Sequence, residues 1–152
     1  MIQLKEREDI SGDIRLNDYY HQLQGLLNEL KKRKVPGKIS KSIDSIINDV
    51  NSTSYTGDEL MKLLKQKQTE IVTLLEKELN LVTKNYYRNR WLGYGMVVFG
   101  VPLGIVSGML MNNMLWFPIG LPIGLVIGLV IGFGLDKKAS KEGRQLDVEI
   151  KY

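Results

Sequence analysis

Between Trp91 and Leu135 the chain carries no charged side chain over 45 residues, and this stretch contains ten of the fifteen glycines. A bilayer core is ~30 Å thick, and a helix that crosses it needs roughly 20 mostly apolar residues. The stretch is therefore long enough for about two such helices joined by a tight turn. It predicts a transmembrane hairpin with helices at residues 91–111 and 115–135 and a turn at 112–114, where Asn112 and Asn113 lie.

The sequence on either side of this stretch is short and highly charged. Residues 1–90 contain 16 Lys or Arg and 13 Asp or Glu, residues 136–152 contain 5 and 4, and the formal net charge is +4. The densest basic cluster covers residues 31–34, whereas a nucleic-acid surface normally has a larger basic stripe. We expect residues 1–90 to form one helical module and residues 136–152 a tail, without a nucleic-acid partner.

The inventory of reactive side chains argues against an enzyme. There is no cysteine, and the single histidine, His21, lies in a helical segment beside Tyr20. The sequence has no phosphate-binding loop, no dinucleotide fingerprint and no His or Cys cluster for a transition metal. We therefore expect no catalytic residue, no cofactor and no metal site.

Three segments of the first 90 residues have apolar side chains at the three-and-four spacing of one helical face. The first begins near Ile14 and ends before Val35-Pro36-Gly37, because proline lacks an amide hydrogen and disfavours a helical residue before it. The second runs from Ile39 to Val50. The third starts at Thr56-Gly57-Asp58-Glu59, which matches a capping box, in which Thr and Glu side chains each accept a hydrogen bond from a free amide.

The third segment contains neither proline nor glycine between Asp58 and Gly93, and its stripe extends to Tyr86 with an interruption at Lys67. An unbroken helix from Asp58 to about Met111 would be ~80 Å long. The expected fold is all-α, a cytosolic bundle or stalk of three helices leading into the hairpin. The stripes allow an antiparallel bundle within one chain or a coiled coil between subunits; we favour the bundle because three short stripes can cover one another.

Glycines recur at every fourth position in both predicted spans, which places them on one face of each helix. Such a groove lets a neighbouring backbone approach closely and gain van der Waals contacts. This pattern resembles the glycine zipper of small bacterial membrane proteins, some of which form homo-oligomeric channels, and the resemblance covers residues 100–132. The predicted helix-packing residues are Gly100, Gly104, Gly108, Gly120, Gly124, Gly128 and Gly132.

Two arrangements of these glycines remain open. Folding the hairpin at Asn112 and Asn113 brings Gly104 near Gly120 or Gly124, and Gly100 near Gly124 or Gly128, so that both grooves mate within one chain. Alternatively, the groove of the second helix faces a neighbouring subunit and builds a ring or bundle of subunits. Within the spans, Pro102 and Pro122 each remove a helical hydrogen bond, which predicts a hinge or kink at each.

Side chains that flank the spans predict the depth and orientation of the hairpin. Aromatic residues are typical of the region where headgroups meet hydrocarbon, and the predicted anchors are Tyr86, Tyr87, Trp91, Tyr94, Trp116 and Phe117. Cations lie before the first span and after the second, whereas the turn has none. They are Lys84, Arg88 and Arg90 on the first side and Lys137 and Lys138 on the second. By the positive-inside rule both termini face the cytoplasm, which predicts a multi-pass protein of the cytoplasmic membrane. The resemblance to glycine-zipper proteins implies that this is a bacterial inner membrane.

The tail from Gln145 to Tyr152 alternates polar and apolar residues with the period of a strand. A strand needs a partner edge, which either Ile2–Lys5 or another protein provides.

The functional hypothesis is a non-enzymatic membrane protein. Its glycine-zipper hairpin anchors the helical module and assembles it into a homo-oligomer, and the module recruits a cytosolic partner through residues 1–80 or the strand at 145–152. The alternative is a channel-forming or membrane-permeabilising oligomer, acting as a toxin or as a stress or defence effector, that is gated by the cytosolic helices. Ionisable residues are absent from both spans, which argues against a pump or secondary transporter.

Overall fold

A computed structural model describes residues 2–5, 7, 10 and 12–150. The chain is mostly helical (77%) with one short parallel two-stranded sheet, so the all-α prediction with a short C-terminal strand is confirmed. The elements are α1 (Ile14–Lys32), α2 (Gly37–Ser52), α3 (Gly57–Leu79), β1 (Val82–Lys84), α4 (Tyr86–Gly95), α5 (Val101–Leu110), α6 (Gly120–Lys141) and β2 (Gln145–Glu149).

The chain divides into two compact units. The first, which we call the helical module, comprises residues 1–83 and 146–152, and the second, the hairpin unit, comprises residues 84–145. In the hairpin unit a π-helical turn, Met96–Gly100, joins α4 to α5, and a 3₁₀ helix, Met114–Ile119, precedes α6. Two continuous helical stretches, Tyr86–Leu110 and Met114–Lys141, are long and apolar enough to cross a membrane.

The helical module has a core built from the three predicted stripes. α3 packs against both α1 and α2, so the stripes cover one another within one chain as an intramolecular bundle. Burying apolar side chains removes their surface from water, which is the main favourable contribution to folding. The largest fully buried side chains are Leu16, Leu23, Leu26, Leu30, Ile43, Ile47, Leu60, Leu64, Ile71, Leu75, Leu146 and Ile150.

The interruption of the third stripe is explained by a contact between helices. The Lys67 ammonium lies 2.7 Å from Asp49 Oδ2 of α2 and 3.3 Å from Glu70 Oε2. The hydrogen bond that the Lys67 ammonium donates to Asp49 raises the pKa of Lys67, Glu70 adds to this effect and partial burial opposes it. Lys67 therefore lies at the margin of the core, while its neighbour Gln68 is the buried polar residue of α3.

The starts of the helices are only partly those predicted. α1 begins after Asp13, whose carboxylate accepts hydrogen bonds from the amides of Arg15 and Leu16 at 2.9 and 3.3 Å. α3 begins after Thr56 as expected, but the Thr56 side chain makes no capping hydrogen bond. Gly57 has φ of +54°, whereas a capping box needs helical geometry immediately after the cap, so this part of the prediction is wrong.

The sequence leaves open whether the third helix continues into the first span, and the structure shows that it does not. α3 ends at Leu79, where Asn80 adopts the left-handed conformation with φ of 52° and the Leu81 amide donates to the Leu75 carbonyl at 3.1 Å. The Asn80 amide also donates to the Glu76 carbonyl at 3.0 Å, which is the αL type of helix ending, and asparagine tolerates this left-handed conformation better than most residues. β1 follows, and Asn85, with φ of 58°, comes directly before α4. A stalk of ~80 Å is therefore not formed.

The C-terminal strand pairs with a segment that the sequence analysis placed in a helix. β2 forms the two-stranded sheet with β1, not with Ile2–Lys5, and Lys151 and Tyr152 lie outside the described residues. The N-terminal segment lies along α2 instead. The Asn51 side chain accepts a hydrogen bond from the Lys5 amide at 2.9 Å and donates one to the Gln3 carbonyl at 3.0 Å. These two backbone groups therefore bond to a side-chain amide where a strand would bond to a neighbouring strand.

Candidate functional site

The two arms of the hairpin unit meet along a line of glycines that we call the glycine seam: Gly95, Gly100 and Gly104 on one arm, and Gly120, Gly124, Gly128 and Gly132 on the other. A Cβ added at Gly124 would lie 2.5 Å from Gly100 Cα, and one at Gly95 would lie 2.5 Å from the Gly124 carbonyl oxygen. Real Cβ atoms essentially never approach so closely. The backbones of the arms are therefore in direct contact.

The structure brings some of the predicted glycines together and places others against different residues. Gly104 lies against Gly120, and Gly100 against Gly124, which are two of the pairings that the sequence allowed. The remaining predicted glycines meet other groups. Gly128 faces the Trp91 carbonyl as well as Gly95, Gly132 lies against Arg88 with its added Cβ 2.5 Å from that Cα, and Gly108 meets the sulfur of Met114 beside the turn.

Gly95 belongs to the seam although the fourfold glycine pattern misses it. It precedes Gly100 by five residues, whereas a regular α-helix aligns residues three or four apart. The π-helical turn Met96–Gly100 lies between them, closed by a hydrogen bond from the Val101 amide to the Met96 carbonyl five residues back. Because a π turn holds one residue more than an α turn, Gly95 and Gly100 come onto the same face.

Each predicted proline lies where the helix changes type. Pro102 is in the first turn of α5, directly after the π-helical turn. Pro122 is in the first turn of α6, after the 3₁₀ helix that contains Pro118. Both prolines lie inside continuous helical stretches, so the missing amide hydrogen coincides with the change of helix type, and the predicted kinks stay predictions.

The turn between the arms uses both asparagines. Asn112 has φ of 47°, a left-handed conformation that asparagine tolerates. The Asn113 side chain accepts a hydrogen bond from the Leu115 amide at 3.0 Å and so caps the 3₁₀ helix. The turn therefore satisfies part of its own backbone hydrogen bonding.

At the opposite end of the hairpin unit, a buried carboxylate joins the two arms. Asp136 of α6 accepts hydrogen bonds from the amides of Tyr87 and Arg88 of α4, both at 3.0 Å, and only 7% of its surface is exposed. These amides belong to the first turn of α4, where backbone donors lack helical partners and a negative charge is favourable. Asp136 is thus the cap of the opposite helix, which the sequence analysis missed because the two are 48 to 49 residues apart.

The cations of this end lie mainly on its surface. Lys84, Arg90, Lys137, Lys138 and Lys141 are exposed and Arg88 is half-buried. Arg144 pairs with Glu142, its Nε lying 2.7 Å from the carboxylate. The hydrogen bonds that the guanidinium donates to Glu142 and, with a smaller effect, to Tyr87 raise the pKa of Arg144, so the guanidinium stays charged. At the other end of the hairpin unit, residues 111–119, which include the turn and the 3₁₀ helix, carry no charged side chain.

The predicted aromatic anchors occupy different environments. Tyr86 is buried, and its hydroxyl accepts a hydrogen bond from the Arg90 guanidinium, which also lies 5.7 Å from the ring centroids of Tyr86 and Tyr94. Phe117 packs its ring and carbonyl on Gly104 and is therefore part of the arm contact. The other anchors are exposed or half-buried: Tyr87, Trp91, Tyr94 and Trp116.

The surface of the hairpin unit away from the seam is apolar and exposed, at Val97, Val98, Val126, Val130 and Phe133 among others. The seam glycines of each arm thus face the other arm, and branched side chains face outward. Within the described residues no group of three or more His, Asp or Glu side chains is placed to hold a metal ion. His21 is exposed on α1, with its ring 6.2 Å from that of Tyr20.

Comparisons with protein-family models, with curated proteins and with solved structures find no match to this chain.

Proposed function

We propose that this protein is a non-enzymatic membrane anchor. Its hairpin crosses the bacterial inner membrane, keeps both termini in the cytoplasm and holds the helical module at the membrane surface, where the module recruits a cytosolic partner. The observation that carries the proposal is the glycine seam, because it joins two apolar helices backbone to backbone within one chain. An arm contact of this kind suits lipid, where leucine-rich surfaces gain nothing by association.

The seam also favours an anchor over a ring of subunits. A ring built on the glycine groove of the second span needs that groove to face a neighbour, and all four glycines of this groove lie against the first arm of the same chain. The outward side chains are branched or aromatic, which suits contact with lipid. We therefore assign the seam to closure of the hairpin.

The recruiting role is assigned to the helices and not to the C-terminal strand. β2 pairs with β1 of its own chain along one of its two edges, and we place recruitment on the helices. The outer faces of α2 and α3 form an open groove whose lining includes Ser42, Asp49, Glu70 and Lys77. A mixed polar and apolar groove of this kind suits a protein surface.

Cysteine accessibility tests the membrane topology, since the chain has no cysteine of its own. We expect Asn112→Cys to react with a membrane-impermeant maleimide in spheroplasts, because the turn lies outside the cytoplasm. Ser45→Cys on exposed α2 is the matched control and should react only after the cells are lysed. Reaction of both variants, or of Ser45→Cys alone, in intact spheroplasts would contradict the proposed orientation, and recovery of the protein in the soluble fraction would contradict membrane insertion.

A further inference from the structure

We propose that the lysines at the end of α6 bind the phosphate headgroups of anionic phospholipids. The surface concerned, which we call the basic collar, consists of Lys137, Lys138 and Lys141. This inference rests on the proposed membrane insertion, since it names the lipid class that the inserted hairpin selects.

The first support is the position of the three lysines around the helix. A residue advances by 100° in an α-helix, so Lys137, Lys138 and Lys141 share one face. The buried residues Asp136 and Ala139 lie on the other face, toward the seam. All three lysines are exposed and begin two residues after Leu135, where the uncharged stretch ends. They are therefore at the depth of the headgroups and directed away from the first arm.

The second support is the absence of local counter-charges. Asp136 is adjacent in sequence, but both of its oxygens accept hydrogen bonds from the amides of α4. Glu142, the next carboxylate along the chain, pairs with Arg144. Within the part of the chain that the structure describes, none of the three lysines forms an ion pair. Their charge is thus available to groups outside the protein.

The third support is the contrast between the two ends of the hairpin unit. The turn end carries no charged residue from Met111 to Ile119, whereas the other end also has Lys84, Arg88 and Arg90. Clusters of Lys and Arg directly beside a transmembrane helix attract anionic lipids, with a several-fold preference for each cation near the surface. The preference for anionic lipid should therefore be confined to the end of the hairpin unit that carries these cations.

The two tryptophans allow each end to be measured separately, because Trp91 lies at the basic end and Trp116 at the turn end. In Trp116→Phe the fluorescence of Trp91 reports the basic end, and in Trp91→Phe that of Trp116 reports the turn end. Each variant is reconstituted in phosphatidylcholine vesicles that contain brominated phosphatidylglycerol or brominated phosphatidylcholine as quencher. Since both leaflets contain the same lipids, the result does not depend on how the protein is oriented.

We expect brominated phosphatidylglycerol to bind beside Trp91 about tenfold more strongly than brominated phosphatidylcholine, and to show no preference beside Trp116. Replacing the three lysines by glutamine in the Trp116→Phe background should reduce the preference several-fold, and the preference that remains belongs to Lys84, Arg88 and Arg90. Replacing Lys31, Lys32 and Lys34 by glutamine, which removes the same charge from the helical module, should leave it unchanged. Salt at 1 M should weaken the preference, because it screens exposed charges.

Equal quenching by the two lipids at Trp91, or a preference that removal of the three lysines does not reduce, would overturn the lipid proposal while leaving the membrane anchor intact. Absence of quenching by either lipid at both tryptophans would instead overturn membrane insertion itself. The two failures are therefore distinguishable.

Discussion

At the scale of single residues, the least replaceable polar group of the hairpin unit is the Asp136 carboxylate. It satisfies two amides at the start of α4 from a helix that lies 48 to 49 residues further along the chain. A local capping residue fixes only the start of its own helix, whereas this carboxylate also fixes which part of α6 lies beside α4. It thereby sets the alignment of the two glycine rows.

We expect Asp136→Ala to destabilise the hairpin by about 2 kcal/mol, because two buried amide donors lose their acceptor. Thermal unfolding in mild detergent, followed by circular dichroism, measures the loss. Lys137→Ala removes an exposed side chain at the next position and is the matched control, with an expected change within about 0.5 kcal/mol. Equal melting of the Asp136 and Lys137 variants would contradict the capping role.

The Lys67 contact predicts a dependence of stability on alkaline pH. The pKa of Lys67 is raised above its usual 10.5 in the folded protein, mainly because its ammonium donates a hydrogen bond to Asp49. The stabilisation is therefore fully present below pH 10.5 and is lost as the pH rises through the raised pKa. Because Asp49 is more than half exposed, the expected contribution is only about 0.5 kcal/mol.

Urea unfolding of the full chain between pH 9 and pH 12 measures this dependence. We expect Lys67→Met to be less stable than the parent at pH 9 and to approach it at pH 12. The control is Lys62→Met on the exposed face of α3, whose difference from the parent should not change with pH. A constant difference for Lys67→Met across this range would contradict the assignment.

At the scale of elements, the glycine seam is specified by spacing and can be tested by adding bulk. Gly124→Leu places a side chain where the Gly100 backbone already lies, and neither helix can yield without separating. We expect a loss of about 3 kcal/mol or more, at the upper end of overpacking effects. Gly134→Leu lies in the same helix with nothing within 4 Å of its added Cβ, so it should melt like the parent; equal loss in both would contradict the seam.

The π-helical turn predicts that a deletion in one arm is tolerated. Removing Val98 shortens the distance from Gly95 to Gly100 to four residues, which an ordinary α turn aligns. We expect this variant to melt within about 1 kcal/mol of the parent. Removing Val126, an equally exposed valine in α6, rotates Gly120 and Gly124 by 100° away from Gly128 and should abolish the cooperative transition of the hairpin. Greater damage from loss of Val98 would contradict the role of the turn.

Elements that follow from periodicity were predictable, and those that depend on single backbone conformations were not. The stripes of α1, α2 and α3 and the two glycine rows repeat often enough to be read from the sequence. The end of α3 depends on left-handed Asn80, and β1 spans only three residues whose Val82 continues a helical stripe. The Asp136 cap and the pairing of β2 with β1 depend on contacts that are remote in sequence, which no local pattern contains.

At the scale of the whole molecule, the glycine seam connects stability to assembly. If the seam closes the hairpin, a chain needs no neighbour to satisfy its packing, and the protein in a mild-detergent complex should have the mass of one 17.3 kDa chain. Light scattering with separate determination of the detergent, or native mass spectrometry, measures this. Gly124→Leu should then lower the melting temperature without changing the mass.

The same argument predicts that reconstituted protein leaves vesicles sealed. A monomeric hairpin whose arms are in backbone contact encloses no passage, so dye release from liposomes should stay at the level of vesicles without protein, even at high protein load. A ring of subunits would behave differently in each respect. It would have a discrete multiple of the chain mass, Gly124→Leu would reduce that mass, and dye release would rise with protein load and fall in the variant. Those results together would replace the anchor by the channel-forming oligomer.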